Sequence, residues 1–153
     1  HRMIREERDP AFWERIARHP ACAESLAGVD PREFAEMAVT HMLPLAATHG
    51  GFLFVPCAGW ARVVELHTLF TPEGWGREAA RAGKEALGVV FDRYDLVVTY
   101  EQVGAWRTQP PRSFGFKVCG EEFEMHGHKW RTWEVSKEQW RASASYQRQA
   151  SAR

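Results

Sequence analysis

The sequence has no surplus of either charge. Lysine plus arginine total 20 and aspartate plus glutamate total 20 over 153 residues, so the formal net charge is zero, with seven histidines as the reserve near neutral pH. That balance excludes a polycation of the histone kind and an acidic solvating tail. Long apolar runs are missing too, and none approaches the roughly 20 residues that a bilayer-spanning helix needs. No apolar core follows the start His1-Arg2-Met3, so no secretory leader is expected and Met3 reads as the initiator. Cysteine is scarce. Cys22, Cys57 and Cys119 are odd in number and form no CxxC pair, which argues against a disulfide scaffold or a structural zinc site and suits a reducing, cytoplasmic compartment. No internal repeat or domain linker is evident.

What is present is the composition of a packed core, with 44% apolar and 26% charged residues. Seven tryptophans are many for this length, and leave room for a ligand groove or partner surface beyond the core. Ile4 to Glu6 reads as a short strand. Asp9-Pro10 is a cap followed by a preset first helical residue, and opens a helix to about Arg18 with Phe12, Trp13, Ile16 and Ala17 on one face. Asp30-Pro31-Arg32-Glu33 repeats the signal, and Phe34, Met37, Ala38, His41 and Met42 follow at helical spacing.

The period then changes. Leu43 to His49 and Phe52 to Cys57 flank Gly50-Gly51, the pair expected to form a tight hairpin turn. Arg62 to Phe70 reads as a strand, and Trp75 to Phe91 as a helix with Ala79, Gly83, Ala86, Leu87, Val90 and Phe91 along its buried stripe. Asp95 to Glu101 is a strand rich in β-branched residues. Pro110-Pro111 allows only a short helical piece after it. Phe116 to Met125 and Lys129 to Val135 form a hairpin around His126-Gly127-His128, and Ser136 with Gln139 caps a last helical turn. The order β-α-α-β-β-β-α-β-(short α)-β-β implies an α/β (α+β) mixed sheet with helices on both faces. Residues 1–140 are expected to be one domain, and 141–153 a polar tail, mobile or a loosely attached helix.

The chemistry concentrates between Val63 and Ala80, where a strand feeds a glycine-containing turn that opens into a long helix. Unpaired amides at a helix start, with the helix dipole, make an anion site. Gly74 and Gly76 remove side chains that would block a phosphate, and Arg77 adds a cation. The same residues also suit a plain strand-to-helix connection. Glu65 and His67 alternate onto one face of the strand, and Tyr100 and Glu101 end the next one. Other constellations are weaker. His126-Gly127-His128 has only Glu124 nearby as a further ligand, so no metal is expected. Cys57 and His49 flank one hairpin, where a buried, inert cysteine is the default. Lys129, Arg131, Lys137 and Arg141, interleaved with Trp130, Trp133 and Trp140, suit either a solvated strand face or contact with nucleic acid.

This element order, the strand–turn–helix unit at its centre and Phe114-Gly115-Phe116 before the last hairpin resemble the GNAT superfamily of acyl-CoA-dependent N-acyltransferases. The family's helix-start motif is Arg/Gln-x-x-Gly-x-Gly/Ala, a few residues after a proline. From Pro72, the ungapped register puts Trp75 at the Arg/Gln position and Glu78 at the central glycine, with Ala80 last. Trp75 and Glu78 depart from the pattern, and a glutamate there repels a diphosphate unless it points away or pairs with Arg77. With Leu66-His67-Thr68 before the loop and an alanine-rich helix after it, the chain looks most like divergent members encoded by phages or mobile elements.

The resemblance implies acetyl-CoA or another acyl-CoA as cosubstrate and an amine-bearing acceptor. Its cofactor contacts would come from Thr68, Leu69, Phe70, Gly74, Trp75, Gly76, Arg77, Ala79 and Ala80, and its catalytic groups would be Glu65, His67 and Tyr100. The tyrosine acid that many members carry in the helix after the strand corresponding to Asp95–Glu101 is missing. Only Trp106, Ser113 and Phe114 stand there, so proton return falls to Tyr100, Ser113 or water. Monomer and homodimer both remain open. The alternatives are a non-catalytic structural or interaction protein of the same fold and a nucleic-acid-modifying member.

Overall fold

The computed structural model describes residues 2–105 and 109–151. Seven strands form one mixed sheet flanked by helices, in the hydrogen-bonded order β1-β2-β3-β4-β5-β7-β6. They are β1 (Arg5–Glu6), β2 (Leu43–Ala46), β3 (Gly50–Pro56), β4 (Val63–Phe70), β5 (Leu96–Gln102), β6 (Lys117–Met125) and β7 (His128–Ser136). The helices are α1 (Pro10–Ala17), α2 (Pro31–His41), α3 (Arg77–Val90), α4 (Lys137–Arg141) and α5 (Ala144–Ser151). β4 and β5 run parallel because α3 carries the chain back between them, whereas hairpins join β2 to β3 and β6 to β7 in antiparallel pairs. Among the described residues no helix is long and apolar enough to cross a membrane.

The chain divides into two compact units, His1–Pro56 with Leu66–Val89, and Cys57–Glu65 with Val90–Arg153. In the first, α1 and α2 begin at the two proline-led caps. Asp9 accepts from the Ala11 amide at 2.9 Å, and Asp30 from those of Arg32 and Glu33 at 3.0 and 3.2 Å. Phe12, Trp13, Ile16 and Ala17 are buried, as their spacing predicts. The buried stripe of α2 is rotated from the expected one. Ala35 and Ala38 are fully buried, whereas Met37 is 40% exposed and His41 lies in solvent. Two alanines let the helices approach closely, and the larger residues are pushed to the margin.

The β2–β3 hairpin departs more instructively. Ala46 pairs with Gly51, and the Ala47 amide donates to the Gly50 carbonyl at 2.8 Å, so the chain reverses through Thr48-His49 and both glycines lie in the strand. They are needed for close approach rather than for turning. A Cβ on Gly50 would sit 2.2 Å from the Leu69 carbonyl oxygen, and one on Gly51 2.2 Å from that of Leu45 and 2.8 Å from the Trp13 ring. His49 is thereby placed at the tip of the turn.

In the second unit β5 runs antiparallel to β7 over seven register pairs, from Leu96↔Ser136 to Gln102↔Trp130. Its ladder with β4 has three pairs and ends at Glu65↔Val98. His126 and Gly127 have φ of 54° and 78°, the geometry a two-residue hairpin turn requires. Ser136 and Gln139 form the expected reciprocal cap at the start of α4. Behind it, the buried Trp140 ring stands edge-on to Phe114 at 5.8 Å and to Tyr146 of α5 at 5.5 Å.

Candidate active site

The end of β4 sets the local geometry in the first unit. Leu69 and Phe70 are buried, so a ligand beside this strand meets their main chain rather than their side chains. The Thr71 amide donates to the His49 carbonyl at 2.9 Å, which ties the strand's exit to the β2–β3 turn. A single 3₁₀ turn, Pro72–Gly74, follows, closed by the Gly74 amide on the Thr71 carbonyl at 2.9 Å. Gly74 is buried, and a Cβ there would lie 2.5 Å from the Phe70 ring and 3.0 Å from the Cβ of His49. Its missing side chain serves packing. The half-buried Trp75 sets its ring 5.6 Å from that of Phe70.

Gly76 is different. It is exposed, its φ is +89°, and nothing lies within 4 Å of where a Cβ would stand. The Ala80 amide donates to the Gly76 carbonyl at 2.9 Å, the first bond of α3. The amides of Arg77, Glu78 and Ala79 therefore precede the intrahelical ladder at the positive end of a 14-residue helix dipole. Arg77 and Ala80 are exposed beside them, and Ala79 is half-buried.

Glu78, the residue that departs most from an anion-binding pattern, points to the β2–β3 turn. One carboxylate oxygen accepts from the His49 amide at 2.8 Å and the other contacts His49 Nδ1 at 2.8 Å. The other ring nitrogen, Nε2, lies 3.6 Å from a Glu73 oxygen. The hydrogen bond to Glu78 outweighs the opposing effect of burial and, with lesser help from the charges of Glu78 and Glu73, lifts the imidazole above its ordinary range. From the sequence, the neighbouring Arg77 is the expected partner of Glu78, and His49 is expected beside Cys57. His49 lies 29 positions from Glu78, and no local pattern links the two.

In the second unit Glu65 and Tyr100 share one face of the sheet. Glu65 is in register with Val98, and Tyr100 lies two residues further along β5. Tyr100 is 39% exposed, with its ring edge-on to Phe123 at 6.0 Å. Partial burial, then the charge and hydrogen bond of the Glu65 carboxylate, push the phenol above its usual range. Burial and the Glu65 charge likewise raise the Cys57 thiol. His67, two residues beyond Glu65 on β4, is exposed, and Thr68 is half-buried.

Glu101 turns to the opposite face and is structural. Its carboxylate accepts from the Trp133 indole at 2.7 Å and lies 3.3 Å from Arg131 Nε, a charge contact without hydrogen-bond alignment. Trp133 and Trp140 are core residues, while Trp130 is half-buried and donates to the Met125 carbonyl at 3.0 Å. Ser113 is exposed on the short turn Arg112–Phe114, and Trp106 lies outside the described residues. Among the described residues no group of three or more His, Cys, Asp or Glu side chains is placed to hold a metal ion.

No family model matches the chain, and no curated protein matches it. Solved structures do. A protein of Chromobacterium violaceum described as a probable acetyltransferase of the GNAT family is 12% identical with a TM-score of 0.67, over 92% of this chain and 91% of the other. The Mycobacterium smegmatis protein RimJ, in complex with CoA-disulfide, is 18% identical with a TM-score of 0.65, over 98% and 88%. An aminoglycoside acetyltransferase in complex with coenzyme A is 14% identical with a TM-score of 0.66, over 92% and 97%. The strand order, the parallel β4–β5 pair and these likenesses together establish that the chain has the fold of the GNAT acetyltransferases.

Proposed function

We propose that the protein is an acyl-CoA-dependent N-acyltransferase that moves an acetyl or other short acyl group to a primary amine. The observation that carries this reading is the start of α3. Three amides without intrahelical partners follow a glycine of positive φ whose Cβ position is open, on a fold shared with structures that hold coenzyme A. A diphosphate needs such a cradle, and its negative charge suits unpaired amides at the positive end of a helix dipole, where an apolar ligand would gain nothing.

The cosubstrate supplies an activated thioester carbonyl, and the chain's residues do the rest. The amides of Arg77, Glu78 and Ala79 hold the diphosphate and the Arg77 guanidinium adds a cation, with Trp75, Gly74 and Ala80 shaping the turn. The main chain of Thr68, Leu69 and Phe70 offers a strand edge to the pantetheine arm. Glu65 takes the ammonium proton so that the free amine attacks, with His67 as the other base on the same strand. The N–C bond forms as the C–S bond breaks, and Tyr100, the phenol on the same face of the sheet as Glu65, returns a proton to the departing thiolate.

Acetyl-CoA at about 100 times its dissociation constant should stabilise the protein by roughly 2.7 kcal/mol, read as a thermal shift. Gly76→Asp, a residue type tolerated at positive φ, should abolish that shift by setting a carboxylate among the amides. Glu65→Gln should depress turnover and change its pH profile while leaving the shift intact. No shift in the wild-type protein would overturn the reading and leave a non-catalytic protein of the same fold.

A further inference from the structure

Glu78 poses a problem for any anion held at the start of α3, since its charge stands on the helix's first turn. The structure shows how the problem is met. The Glu78 carboxylate is drawn to the β2–β3 turn, with both oxygens engaged at 2.8 Å, one by the His49 amide and one by its ring. The Glu78 side chain is 18% exposed, while that of His49 is 40% exposed and reachable by protons from solvent. Gly74 makes the arrangement possible, since a Cβ there would lie 3.3 Å from the Glu78 carboxylate and 3.0 Å from the Cβ of His49. The turn itself is held by the Thr71 amide and hydroxyl, which donate to the His49 carbonyl at 2.9 and 3.3 Å. Two units of negative charge, Glu78 and Glu73, thus face one imidazole.

We propose that His49 is a positioning residue for the diphosphate site: as imidazolium it cancels the Glu78 charge and keeps that carboxylate off the α3 amides, so that anion affinity follows its protonation. The proposal rests on the acyl-CoA reading above. Among the described residues, the charged groups facing His49 are Glu78 from α3 and Glu73 from the 3₁₀ turn. Both favour the imidazolium, in keeping with the raised pKa of the ring. Loss of that proton leaves the Glu78 charge uncancelled and adds one unit to the negative charge beside the amides, and a like charge near an anion weakens its binding.

The test is calorimetric titration of the full chain with coenzyme A between pH 6 and 8.5. Four proteins are compared: wild type, His49→Gln, Glu78→Gln and the double variant. Comparing proteins at each pH removes the ligand's own ionisation. Wild-type affinity should fall about tenfold across the range, and one lost charge interaction worth about 1.4 kcal/mol has that size. His49→Gln should be about tenfold weaker than wild type at pH 6. Glu78→Gln should bind tightly with little dependence on pH, and the double variant should match it. In parallel, the NMR titration of the His49 ring should move to lower pH in Glu78→Gln, a readout that needs no ligand. Wild-type affinity at pH 6 in folded His49→Gln, or a wild-type slope in Glu78→Gln, overturns the role of His49 while the acyl-CoA reading stands. Absence of binding in both wild type and Glu78→Gln at every pH overturns the acyl-CoA reading and the role of His49 with it. An unmoved His49 titration in Glu78→Gln overturns the pairing itself.

Discussion

Glu78 in the first unit and Glu101 in the second are both withdrawn from solvent, with side chains 18% and 10% exposed. Their partners differ in kind. Glu101 is held by an indole N–H at 2.7 Å and a guanidinium at 3.3 Å, groups that do not titrate between pH 6 and 8. Glu78 is held by a backbone amide and an imidazole, and the imidazole changes charge in that window. The same carboxylate chemistry therefore yields a fixed strut in one place and a titratable one in the other. The fixed strut braces β5 against β7, whereas the titratable one stands at the candidate anion site.

This contrast can be broken by mutation. The largest effect is expected from Glu101→Ala, which leaves the Trp133 indole without its acceptor and the half-buried Arg131 without its nearest carboxylate. It should cost about 3 kcal/mol in urea unfolding, the low end for breaking a buried charged pair. Glu101→Gln keeps an acceptor for the indole and should cost about 1 kcal/mol, with no change across pH 6 to 8.

Glu78→Gln should cost less, about 0.5 kcal/mol at pH 6, because His49 is partly exposed. The folded pKa of His49 lies above its ordinary 6.5, so the pair's stabilisation is complete below 6.5 and is lost as pH rises through the folded value. The melting temperatures of Glu78→Gln and wild type should therefore converge as pH rises through that folded value. Parallel curves would mean that the His49 charge contributes nothing.

The smallest effect is expected at the exposed pair Arg62–Asp95, bonded at 2.8 and 3.1 Å. Its hydrogen bond to Arg62 holds the Asp95 carboxyl below its usual 3.8, so its contribution is present above that pH and fades as pH falls through the lower folded value. Asp95→Asn should move the melting temperature less than Glu78→Gln does at pH 6, and the difference should vanish in 1 M salt.

Much of the fold was legible because it rests on local rules. Asp9-Pro10, Asp30-Pro31 and Ser136 with Gln139 announce helix starts through bonds within three residues, and each starts a helix in the structure. The β-branched run after Asp95 forms a strand, and Phe12, Trp13, Ile16 and Ala17 are buried together as their spacing requires. The candidate loop was legible in part, since Gly76 and the helix behind it stand in consecutive positions. Gly50-Gly51 reads as a turn yet lies in the strand, because a pair of glycines looks the same whether it bends the chain or admits another strand's carbonyl. The rotated stripe of α2 reflects the same limit: the pattern gives the period, and the partner surface selects the phase.

By itself, then, the sequence determined the order of strands and helices, the starts of α1, α2 and α4, and the presence of an acid on the first turn of α3. These follow from dihedral preferences, caps and side-chain periodicity, all of short range. Tertiary structure alone decided that Gly74 packs while Gly76 stays open, that Glu101 braces the sheet while Tyr100 faces outward beside Glu65, and that His49 meets Glu78. Those outcomes depend on contacts between residues tens of positions apart. Which groups meet there is set by how the strands register, and no stretch of sequence near either partner records it.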